Sequence, residues 1–199
     1  MKFLVIDTTK KNLLVMLYDG VSVETKEYSG GLNQHNATLL KLVDEILMEN
    51  STILDELDFF ACNVGPGSFT GIRLGTTTLN AFHLSTKKPL IGYTVFEPYG
   101  HNAEEETLIC LSAGHDSYYA NKYYQKELIS EGEITEEELK KVPFKIIKIS
   151  TTDFDDQELA LTIDFVIDKY KKRQFKTQLI PYYMKKSQAE REEEKRNGN

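Results

Sequence analysis

The sequence predicts an α/β protein of two lobes, each a mixed sheet led by an antiparallel hairpin, with the second lobe trimmed. Three observations predict it. Residues 3–28 alternate in short strand-length runs closed by turn residues. "LDFFACNV", "FTGIRLGTTTLNAFHL" and "KKPLIGY" then read as strand, helix and strand, for which a right-handed parallel crossover is expected. Finally, "TLICLSAG" and "DSYYANKYYQKELI" echo the opening hairpin after an acidic turn, which suggests a duplicated architecture.

In chain order, "FLVID", "LLVMLYDG" and "VSVETKEYS" form a meander, with Lys10-Lys11-Asn12 as its first turn and Asp19-Gly20 as its second. From Gln34 to Glu49 the period becomes helical, and Leu39, Leu40, Leu42, Val43, Ile46 and Leu47 give an apolar face broader than one core contact needs. "LDFFACNV" is short, continuous and flanked by turns, as a strand buried on both faces should be. Ser68 then caps a helix running to about Leu84. In the second lobe "DSYYANKYYQKELI" reads as one strand, "ITEEELKKV" as a short helix and "FKIIKIS" as a strand. "FDDQELALTIDFVIDKYKK" is an amphipathic helix capped by Asp155 or Asp156. These boundaries divide the chain into a first lobe over 1–95, a smaller second lobe over 96–185 and a charged, flexible tail over 186–199.

Composition narrows the function. With 40% hydrophobic residues in 199, the chain can build an ordinary core. A formal charge of −7 opposes unaided binding to a phosphate backbone. No apolar run reaches membrane-spanning length, "MKFLVIDTT" is too short for a signal core, and Cys62 and Cys110 sit in apolar strands. A reduced, cytoplasmic protein is expected.

The stretch "GPGSFTGIRLG", Gly65 to Gly75, invites three chemical readings and satisfies none. A phosphate loop needs Gly-Lys after four intervening residues, and Thr70 stands where that Gly belongs. A dinucleotide fingerprint needs its third glycine one residue before Gly71, and a hydrolase elbow needs glycines where Pro66 and Thr70 stand. His35, His83, His101 and His115 include no i, i+4 pair for a metal. What remains is a strand-to-helix turn whose amide groups suit an anion or a serine cap. Beyond it, Gly71, Gly75 and Thr78 line one helical side, and the helix stability each glycine forfeits implies that another element packs closely there. That element could be a strand, the 34–49 helix or another chain.

Four stretches carry a resemblance: "FLVIDTT", the helix in which His35 precedes "LLKLVDEIL", "GPGSFTGIRLG", and "PYYMKK". Together they resemble the TsaB (YeaZ) family, scaffold proteins of the bacterial machinery that places threonylcarbamoyl on a tRNA adenosine. The likeness is strong over 1–95 and looser beyond.

The resemblance implies an actin-like (ribonuclease H-like) fold, no catalysis by the chain itself, and no cofactor of its own, with ATP or ADP held at a complex interface. Its implied partners are a TsaD-like synthase, a TsaE-like ATPase, and a second copy of itself when the synthase is absent, with tRNA met only through the complex and no membrane. The implied partner surface is formed by the two helices: Asn36, Leu39, Leu40, Val43 and Leu47 with Gly71, Ile72, Leu74, Gly75 and Thr78. On that reading Gly71 and Gly75 admit a partner helix, and Gly75→Leu blocks pairing without unfolding the chain. Asp7, Thr8, Gly65, Gly67, Ser68 and Thr70 are the implied vestigial anion site. Of the histidine pair that binds metal in the catalytic relative, only His35 could remain, because Leu39 replaces its partner. Ser112-Ala113-Gly114 stands where the family has Asp-Ala-Arg, removing both charges from the cleft. The competing readings, a glycoprotease-type metallopeptidase or an ATP-dependent small-molecule kinase, need a metal pair or a carboxylate base with a phosphate loop.

Overall fold

The structure is a computed structural model that describes residues 1–30 and 34–184. The expected tail over 186–199 and the last two residues of "PYYMKK" lie outside the described residues.

The opening meander forms as β1 (Phe3–Asp7), β2 (Leu13–Tyr18) and β3 (Val23–Tyr28). The chain continues through α1 (His35–Glu49), β4 (Phe59–Gly65), α2 (Phe69–Thr86) and β5 (Leu90–Thr94). These strands make a sheet in the order β3-β2-β1-β4-β5, with β1, β4 and β5 parallel. After α3 (Glu97–Gly100) come β6 (Thr107–Gly114), β7 (Ser117–Tyr124), β8 (Glu127–Thr135), α4 (Glu136–Leu139), β9 (Lys145–Ile149) and α5 (Asp156–Lys171). The second sheet, β8-β7-β6-β9 with β9 parallel to β6, repeats the first without its fifth strand. The echo between the two hairpins is therefore a repeat of topology.

One expected strand is two. The run over 116–129 folds back at Gln125-Lys126, both left-handed at φ 48° and 67°, to separate β7 from β8. That turn carries neither Gly, Asn nor Asp, the residues by which such turns are recognised in sequence.

Alternation along the central strands sets the layers. Leu4, Ile6, Leu13, Val15 and Leu17 point to one side and pack with α1 and α2 through Leu39, Val43, Ile46 and Leu79. Phe3, Val5, Leu14 and Met16 point to the other and meet Phe165 and Val166 of α5. Asp155 caps α5, its carboxylate accepting from the Glu158 amide at 2.8 Å. Leu161 on the same helix reaches the core of the second sheet. The segment after α5 then returns to the first sheet, where the Lys176 amide donates to the Leu90 carbonyl and the Tyr182 amide to the Val64 carbonyl, both at 2.8 Å. The end of the expected second lobe thus closes the edge of the first.

Candidate functional site

The site is built where the β1–β2 turn meets the start of α2. Thr8, Thr9, Lys10 and Asn12 are all buried, unusual for a turn of polar residues, so each needs a partner. Thr8 Oγ1 donates to the Gly71 carbonyl at 2.6 Å, and the Thr9 carbonyl accepts from the Ser68 amide at 2.7 Å. Asp7 accepts from the Thr9 amide (2.8 Å), the Thr9 hydroxyl (2.7 Å) and Asn63 Nδ2 (2.8 Å). Ser68 caps α2, its hydroxyl accepting from the Gly71 amide at 3.1 Å.

This geometry corrects the reading of the glycine row. A Cβ on Gly71 would stand 1.8 Å from the Thr8 carbonyl oxygen, and one on Gly75 2.7 Å from Thr8 Oγ1 and 3.0 Å from Cys62 Sγ. The close partner is the chain's own β1 end and β4, and Gly75→Leu would strike the interior. Ile72, Leu39, Val43 and Leu47 are likewise buried in the chain itself. These six residues are not a free partner surface, because the first sheet already covers them. Of the expected surface, Asn36 and Leu40 are exposed and Leu74 and Thr78 half-buried. Met48 on α1 and Leu84 on α2, which the sequence reading missed, are also exposed, at 79% and 67%.

The expected anion site is divided. Gly67 and Ser68 line a cleft of about 330 Å³ between the lobes, with Lys11, Ser112, Ala113 and Tyr119 among its walls. Asp7 and Thr8 are buried, Gly65 lies below Tyr182, and Thr70 is exposed. The Thr9 carbonyl and the Ser68 hydroxyl take two amides at the start of α2 that an anion would otherwise use. A carboxylate to serve as base is absent from the cleft walls among the described residues.

His35 is buried against the same turn. Its Nε2 lies 3.0 Å from the Lys11 carbonyl and so carries the proton, Nδ1 has no hydrogen-bond partner, and burial lowers the ring's pKa. No cluster of three His, Cys, Asp or Glu side chains suited to a metal occurs among the described residues.

A further contact escaped the sequence reading altogether. Lys10 Nζ, buried, meets Glu158 Oε2 at 2.5 Å, donates to the Asp153 carbonyl at 2.9 Å and lies 4.4 Å from the centre of the Phe154 ring. The partners are 148 residues apart, a separation no local pattern announces.

The family described as TsaD: tRNA N6-adenosine threonylcarbamoyltransferase matches residues 23–164. The chain belongs to this family. Among curated relatives, an Escherichia coli protein named tRNA threonylcarbamoyladenosine biosynthesis protein TsaB is 29% identical over 146 residues, covering 70% of this chain and 63% of its own. A Haemophilus influenzae protein of the same name is 32% identical, covering 44% and 37%. A Zymomonas mobilis tRNA N6-adenosine threonylcarbamoyltransferase is 39% identical over 34% of this chain and 18% of its own. The alignment with the Escherichia coli relative thus spans less than two thirds of that protein. Among solved structures, YeaZ from Pseudomonas aeruginosa superposes with a TM-score of 0.72 at 18% identity, covering 92% of this chain and 99% of that one. The TsaD-family chain therefore has the YeaZ fold, the α/β arrangement with two mixed sheets that the sequence predicted.

Proposed function

We propose that this chain is a non-catalytic scaffold subunit for threonylcarbamoyl modification of tRNA adenosine, pairing with and activating a TsaD-like synthase. The observation that carries the reading is the outer surface of the α1–α2 layer, where Leu40 (53% exposed), Met48 and Leu84 are apolar side chains left in solvent. Each exposed side chain alone is ordinary, but together they mark one layer of two helices as the face suited to a partner. The TsaB names of the curated relatives support the pathway. The described walls of the cleft include Lys10, Lys11 and Ser68 and no carboxylate that could serve as a base.

In this reading the net charge of −7 is tolerable because tRNA is gripped by the assembled complex. A TsaE-like ATPase joins that complex, ATP or ADP binds at its interface, the free chain pairs with itself through the same helices, and the setting is the cytoplasm. The test is co-purification with the cognate TsaD-like synthase at micromolar concentration, using the wild type and the surface variant Leu40→Asp. The expected result is a complex with the wild type that weakens at least tenfold in Leu40→Asp, about 1.4 kcal/mol, while the variant stays folded. No complex with or without ATP would sink the proposal.

A further inference from the structure

A second recess lies between the lobes, bounded by the end of β5, strands β7 and β8, and the last turns of α5, with a volume of about 550 Å³. In its wall Asn121, 4% exposed, has an Oδ1 with no hydrogen-bond partner. A buried, unpaired amide oxygen is costly unless something donates to it. Directly across the strand pair, Asn121 is registered opposite Glu131, so the two side chains share a face as cross-strand neighbours. Tyr182 Oη donates to Glu131 at 3.1 Å. Asn121, Glu131 and Tyr182 therefore present oxygens to one wall of the recess.

Charge decides what they await. Four carboxylates and three lysines border the recess. Glu97 pairs with Lys169 at 3.6 Å and Asp168 with Lys172 at 2.8 Å, while Lys126 is drawn to Glu104 at 2.9 Å. Neither Glu127 nor Glu131 forms an ion pair among the described residues. A bulge at Ile129 registers Glu127 opposite Tyr124, on the other face of the strand pair, so Glu131 is the unpaired negative charge beside Asn121. Burial first, opposed by a hydrogen bond from the Asn121 side chain and reinforced by the charges of Glu97 and Glu131, pushes the Tyr123 hydroxyl up to about 12, so it stays neutral and adds no further negative charge. With no third metal-ligating side chain gathered here, the fitting cation is organic.

We propose that this recess binds an aliphatic primary amine, its ammonium held by Asn121 Oδ1, Glu131 and Tyr182 Oη. The volume suits a small molecule, and an ammonium with three donors matches these three acceptors. The proposal is independent of the scaffold reading and uses a different face.

Calorimetric titration of the full chain with spermidine at pH 7.5 tests it, with octane-1,8-diol and magnesium chloride at matched ionic strength as controls. Saturable binding of spermidine is expected, with no response to the diol and no displacement by magnesium. Glu131→Gln, on an exposed strand and safe for folding, should weaken binding about tenfold, the worth of one charge-assisted contact. Asn121→Leu should weaken it comparably, whereas Glu127→Gln, on the other face of the strand pair, should leave it unchanged. Absence of saturable binding, equal binding by Glu131→Gln, or displacement by magnesium at matched ionic strength would each overturn the proposal.

Discussion

Gly71 and Gly75 look alike in sequence and differ in what they protect. At Gly71 the obstacle is the Thr8 backbone carbonyl, 1.8 Å from where a Cβ would stand, and backbone cannot rotate aside. At Gly75 the obstacles are the side-chain atoms Thr8 Oγ1 and Cys62 Sγ, at 2.7 and 3.0 Å, which can give way slightly. Alanine in place of glycine returns about 1 kcal/mol of helix propensity at either position. Overpacking costs roughly 1–3 kcal/mol and more when backbone must move. Gly75→Ala should therefore lose about 1 kcal/mol net and Gly71→Ala about 3 kcal/mol or more, read as midpoint shifts in urea. Equal losses would show that α2 slides freely on the turn. The need for a close neighbour was legible in the glycine spacing. Its identity was not, because a strand end and a partner helix demand the same small residues.

At the scale of elements, the Lys10 and Glu158 pair fastens the β1–β2 turn to α5. Burial raises the Glu158 carboxyl to about 7, with Lys10 opposing the rise and the charges of Asp7 and Asp155 adding to it. A carboxyl whose pKa is raised in the folded state contributes stability that is complete below about 4.5 and lost as pH climbs to about 7. The span corresponds to on the order of 2–3 kcal/mol. His35 acts in the opposite sense, since a ring with a lowered pKa contributes stability that is lost as pH falls through the histidine range. The informative quantity is thus the wild type minus Glu158→Gln, measured by denaturant unfolding at several pH values. That difference should fall between pH 4.5 and 7, and a flat difference would mean Glu158 ionises as it does in water. Elements were otherwise legible wherever turn chemistry was explicit: Asp19-Gly20 announced its hairpin, whereas Gln125-Lys126 hid one, because their left-handed backbone is imposed by pairing of β7 with β8.

Across the whole molecule, the duplicated hairpins and the crossover at β4, α2 and β5 were legible because local periodicity and turn residues encode them. How the lobes join was not, because the junction is made of contacts distant in sequence. The Lys11 amide donates to the Thr151 carbonyl at 2.9 Å and the Asn12 amide to the Thr152 carbonyl at 3.1 Å, alongside the Lys10 and Glu158 pair. With α5 packed on both cores, this junction should make the lobes unfold together. The chain has no tryptophan, and seven of its 11 tyrosines lie in strands of the two sheets, three in the first and four in the second, so near-ultraviolet dichroism follows packing in both. Its transition should coincide with the far-ultraviolet one in the wild type. Lys10→Ala strands a buried carboxyl and should cost about 3 kcal/mol or more, whereas the double variant Lys10→Met, Glu158→Leu should recover most of that loss, since an apolar pair of similar volume avoids desolvating two charges. If the double variant is as weak as the single one, the pair orients the lobes through its hydrogen bond to Asp153, and charge pairing is secondary to that contact.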